Sequence, residues 1–179
     1  MSVRQKNRQL ILSALFLAAA LLLPFLTAQM QPFGKALCPM HIPVLLCGFF
    51  CGPLYAALVG FIAPLLRFSL FGMPPLMPTG LSMAAELATY GLLAGGLYRW
   101  LPKKKVCIYL SLLGAMLGGR LVWGAVQYAL CGLTGTEFGI SAFYAGAVLQ
   151  AIPGILLQII LIPLLVMALQ SYTRPRGTG

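Results

Sequence analysis

Residues 42–71 read IPVLLCGFFCGPLYAALVGFIAPLLRFSLF, an apolar run interrupted by one charge, Arg67. How this run is divided sets the direction of every helix after it. A helix needs about 20 apolar residues to cross a hydrocarbon core roughly 30 Å thick, so the run is either one long span or two short ones. Gly52-Pro53 is the natural place to divide it, because proline is tolerated in the first turn of a helix and disruptive further in.

The basic residues choose between these layouts, since Lys and Arg in short loops favour the cytoplasmic side of a membrane. With the run divided, Arg4, Lys6, Arg8, Arg99, Lys103, Lys104, Lys105, Arg174 and Arg176 fall on one side. Lys35 and Arg67 then lie toward the other, and Arg120 lies within a helix. Left undivided, the run would put the cluster around Lys103 and the last two arginines opposite the N-terminal ones. The divided layout predicts helices at about 9–28, 41–51, 53–71, 79–99, 106–130 and 142–170. The expectation is an all-α membrane protein, a six-helix bundle forming one domain over residues 1–179, with both termini cytoplasmic.

Composition leads to the same class. Hydrophobic residues make up 60% of the chain and charged ones 8%, whereas soluble domains carry about 25% charged residues. The net charge of +10 sits at the termini and between apolar segments, where it records orientation and does not indicate nucleic acid. Cys38, Cys47, Cys51, Cys107 and Cys131 form no Cys-x-x-Cys pair. They read as small buried hydrophobes, with neither a disulfide framework nor a zinc site. The apolar run 10–26 is long for a secretory signal core and has no convincing small-x-small cleavage site after it, so a retained first helix is expected.

Ionisable groups inside a span are costly and mark function by default. Glu86 lies about two turns inside the outer end of the fourth helix, with Tyr90 one turn deeper on the same face. Arg120, Trp123 and Gln127 share a face of the fifth helix at helical spacing, a cation, a ring and an amide suited to a small polar ligand. An ion pair between Glu86 and Arg120 that only braces the bundle is the structural alternative. Gln150 in the sixth helix is a further ligand contact, while Gln158 lies deeper and reads as structural. Arg67 is either a snorkelling anchor or a guide for an anion. His41, beside Cys38 and Met40, reads as a residue opening its helix in preference to a metal ligand.

Small residues spaced by four let helix backbones approach closely. Ala14 and Ala18, Gly91 and Gly95, and Gly114 and Gly118 have this spacing. No P-loop is present, so the chain itself is not expected to hydrolyse ATP. No catalytic triad or nucleophile elbow appears, so no enzyme is expected, and no cofactor is implied.

The run Pro39-Met40-His41-Ile42-Pro43-Val44-Leu45-Leu46-Cys47-Gly48-Phe49, followed by Cys51-Gly52-Pro53, resembles the second and third helices of the substrate-binding S components of energy-coupling factor (ECF) transporters. Phe71-Gly72-Met73-Pro74-Pro75, leading to Glu86-Leu87-Ala88-Thr89-Tyr90-Gly91, resembles the same family. The resemblance implies a bacterial or archaeal plasma-membrane protein that captures a vitamin or related micronutrient from outside. It implies a membrane T component and two cytoplasmic ATPases as partners, with Ala14 and Ala18 facing the T component. It also implies a pocket near the outer face, with Glu86, Tyr90, Arg120, Trp123, Gln127, Gln150, Arg67 and His41 as the substrate-binding candidates. The outer cations Arg120, Arg67, Lys35 and His41 outnumber the glutamates and favour a carboxylated ligand such as pantothenate or nicotinate. A stand-alone secondary transporter or channel, with Glu86 and Arg120 lining a through path, is the alternative.

Overall fold

The structure, a computed structural model, describes residues 3–28, 38–102, 104–135, 139 and 152–173. Its helices are α1 (Val3–Ala28), α2 (His41–Cys51), α3 (Pro53–Phe71), α4 (Leu81–Trp100), α5 (Lys105–Thr134) and α6 (Ile152–Thr173), with a kinked turn, Leu76–Gly80, leading into α4. The expected start of the sixth helix, at 142–151, lies outside the described residues.

The apolar run divides at Gly52, whose φ of 95° suits glycine and few other residues. A Cβ there would also collide with the Arg99 guanidinium. Pro53 occupies the first turn of α3, where its missing N–H breaks no helical bond.

Among the described residues, four helical segments are long and apolar enough to cross a membrane: Val3–Phe25, Pro53–Phe71, Lys105–Thr134 and Ile152–Leu169. The sequence expectation treats all six helices alike, and the structure separates two of them. At 11 residues, α2 is only about 16 Å long. All of it except Phe50 is buried. It is surrounded by protein, so its length need not match the bilayer. The second inner helix, α4, packs against α2, α3 and α5 and buries Ser82, Glu86 and Tyr90. An inner position explains how α4 carries polar groups that a lipid-facing helix would not tolerate.

Glycines bring these inner helices close together. A Cβ on Gly91 would lie 2.5 Å from the carbonyl carbon of Ala56 in α3, and one on Gly95 would lie 2.6 Å from the nitrogen of Pro53. Gly114 and Gly118 of α5 face Leu97 and Leu93 of α4. Both glycine pairs therefore serve packing within the bundle.

Opposite ends of the molecule differ in chemistry. Arg99 meets Gly52 at one end, where Arg4, Lys6 and Arg8 begin α1 and Lys104 and Lys105 begin α5. At the other end Phe25 packs edge-on to Phe71 with centroids 4.7 Å apart, and Arg67 lies over the Phe25 ring at 5.3 Å.

Candidate functional site

Parallel packing of α2 on α4 sets the site. A Cβ on Gly48 would lie 3.1 Å from both the Gly91 oxygen and the Gly95 nitrogen, and seven residues before Gly48 this register puts His41 level with Glu86. The His41 amide donates to the Cys38 carbonyl at 3.0 Å, anchoring the first turn of α2. From α5, Arg120 reaches the same point. Tyr90 fits beneath because Gly119 leaves room where a Cβ would strike its ring.

One carboxylate oxygen holds the cluster together. Glu86 Oε1 lies 3.1 Å from Arg120 Nη1 and 3.5 Å from His41 Nε2. Glu86 is 2% exposed and His41 3%, so water screens these charges poorly. The His41 ring meets Tyr90 edge to face, with centroids 5.1 Å apart. Proximity here is not the same as satisfaction. Glu86 Oε1, both ring nitrogens of His41 and Arg120 Nε are buried here without an aligned hydrogen-bond partner, as is Gln127 Oε1 two turns along α5 from Arg120. Buried polar groups are nearly always paired, and a local concentration of exceptions calls for an explanation.

Cys38 completes the edge of the cluster, in the left-handed region at φ 47°. Burial pushes its thiol above the ordinary range, while the adjacent Arg120 pulls the other way. Among the described residues, no group of three His, Cys, Asp or Glu side chains could hold a metal ion.

The residues singled out in the sequence are distributed as follows. Glu86, Tyr90, Arg120 and His41 come together. Trp123 and Gln127 are half-buried on the Arg120 face of α5, and the Gln127 amide nitrogen lies 3.7 Å from the Cys131 sulfur. Gln150 lies outside the described residues, as does Lys35. Arg67 is not brought to the cluster. Ala56 faces Gly91 and Gly60 faces Leu87 across α3 and α4, and that register puts Arg67 about 9 Å farther toward the aromatic end than Glu86. Ala14 and Ala18 are exposed on α1, away from the buried Ser13 and Ala20. Arg120 is paired with Glu86, one of the glutamates already counted against the outer cations.

Sequence reasoning named His41 as a site residue without pairing it with Glu86, and it missed Cys38 as a neighbour of Arg120. The His41 relation depends on the register between α2 and α4, and the Cys38 relation on where the chain before α2 meets α5, for which no local pattern gives a signal.

The fold and site together define a class, a multi-pass helical membrane protein with a buried charged cluster between its inner helices. Residues 8–169 match the family model of the ECF transporter, substrate-specific component, and the chain belongs to that family. It is accordingly a substrate-binding subunit of an ECF importer, a transport protein and not an enzyme. In ECF systems this component associates with a T component and ATPases. No curated protein and no solved structure matches the chain.

Proposed function

We propose that this S component captures a small micronutrient of the vitamin class at the Glu86 cluster, entering from the outer side of the plasma membrane. The observation that carries this reading is the gathering of buried, unaligned polar atoms of Glu86, His41 and Arg120 at one point between α2, α4 and α5. A purely structural pair would be expected to align its hydrogen bonds, because each one left unmade in a dry interior costs about 1–3 kcal/mol.

Orientation follows from charge. The end carrying Arg4, Lys6, Arg8, Arg99, Lys104 and Lys105 faces the cytoplasm by the positive-inside rule, with both termini on that side and all six helices within the membrane domain. Glu86 precedes Arg99 by 13 positions in α4, or about 20 Å along a helix. In a core roughly 30 Å thick this level belongs to the outer half. Capture from outside suits that depth.

Energy for uptake comes from the cytoplasmic ATPases through the T component, which docks on α1. The exposed Ala14 and Ala18 support this assignment, because small residues one turn apart admit a neighbouring helix backbone. Arg67 acts as an outer anchor through Phe25. Thermal stabilisation of the purified chain across a panel of vitamins tests the reading. One or more vitamins should raise Tm, and Glu86→Ala should abolish the rise. A panel without effect on Tm sinks it.

A further inference from the structure

This inference rests on capture at the Glu86 cluster and adds the charge of the ligand. Two groups that would receive a carboxylate, Arg120 and His41, are already turned toward one oxygen of Glu86, at 3.1 Å and 3.5 Å. A ligand carboxylate brought to Arg120 would therefore share its site with the Glu86 carboxylate. Two like charges a few ångströms apart strongly disfavour ionisation of both. With Glu86 2% and His41 3% exposed, water does little to relieve that repulsion.

The unaligned atoms instead offer both halves of a hydrogen-bond pair. Glu86 Oε1 accepts, Arg120 Nε donates, and the two unaligned nitrogens of the His41 ring add to the pattern, an imidazole having one nitrogen of each kind when uncharged. Donors beside acceptors complement a group that itself carries N–H beside C=O. The Tyr90 ring against His41 and the half-buried Trp123 on the Arg120 face supply flat apolar surface around these atoms. We propose that the cluster recognises an uncharged, planar ligand with a carboxamide, lactam or imide edge, and that Glu86 is the specificity residue that turns carboxylates away.

Matched probes test this on the purified full-length chain at pH 7 by calorimetry. Nicotinamide and nicotinate share a ring and differ in one group. Riboflavin, with an imide edge, and pantothenate, with a carboxylate, form a second contrast. The neutral member of at least one contrast should bind about tenfold or more tightly than its charged counterpart, well within the discrimination open to a site whose buried polar groups must be matched. Glu86→Gln keeps the side-chain shape and removes the charge, and it should shrink or reverse that ratio. If this variant does not fold, the ratios of the native chain decide alone. Carboxylates binding tightest to the native chain would overturn the inference while leaving capture at the cluster standing, and so would Glu86→Gln weakening both members of a contrast equally. Binding of none of the probes, nor of any other vitamin in the panel, would overturn the capture reading along with it.

Discussion

Arg120 Nη1 lies 3.1 Å from Glu86 Oε1, joining α5 to α4 at a point where Glu86 is 2% exposed. Removing one partner of a buried ion pair leaves the other uncompensated, whereas replacing both removes the problem with the pair. Arg120→Met should therefore destabilise the bundle by about 3 kcal/mol, and Glu86→Gln together with Arg120→Met should recover part of that loss. Unfolding in mixed micelles measures both. A double variant less stable than Arg120→Met alone would show that the pair is not what couples these helices.

Close approach of α3 to α4 depends on Gly91. A Cβ there would lie 2.5 Å from the backbone of Ala56, which cannot move as the end of a flexible side chain can. Gly91→Ala should cost about 1–3 kcal/mol by overpacking. Gly96, where a Cβ meets nothing within 4 Å, is the control. Gly96→Ala should be neutral or slightly stabilising, because alanine is the better helix former. Equal losses at the two positions would contradict the packing described.

On α1 the small residues face outward. Ala14→Leu with Ala18→Leu should leave the Tm and ligand affinity of the isolated chain unchanged and abolish co-purification with a T component and ATPases. An intact complex with this double variant would move the partner surface elsewhere.

Arg67 ties α3 to α1 through the Phe25 ring at 5.3 Å. Arg67→Ala should lower stability by about 1 kcal/mol, the scale of a partly exposed cation–π contact, and Phe25→Leu should match it. Additive losses in the double variant, read by a double-mutant cycle, would show that the two residues act independently.

Much of the fold is legible in the sequence because two strong signals agree there. The length of the apolar run 42–71 demands a decision, and the basic residues force the break at Gly52, where the structure puts it. The possibility of a Glu86 to Arg120 pair is legible too, since each is an ionisable group inside an apolar segment. Hidden from the sequence is the distinction between lipid-facing and inner helices. The shortness of α2 reveals its burial only once the neighbouring helices are known. The meeting of His41 with Glu86 is likewise a property of helix register, set by Gly48 against Gly91 and Gly95. Arg67 is misleading in sequence because a cation near the outer end looks the same whether it faces a ligand or a phenylalanine ring.

The central claim is that Glu86 and Arg120 form the capture site, and one optical measurement tests it most directly. The chain has two tryptophans, Trp123 on the Arg120 face and Trp100, which is 89% exposed. In Trp100→Phe, fluorescence reports from Trp123 alone. Titration with the vitamin that raises Tm should quench this signal saturably, and adding Arg120→Ala should weaken the apparent affinity at least about a hundredfold, the loss expected when a charged partner in a buried site is removed. An unchanged isotherm in the Arg120→Ala background would contradict the account.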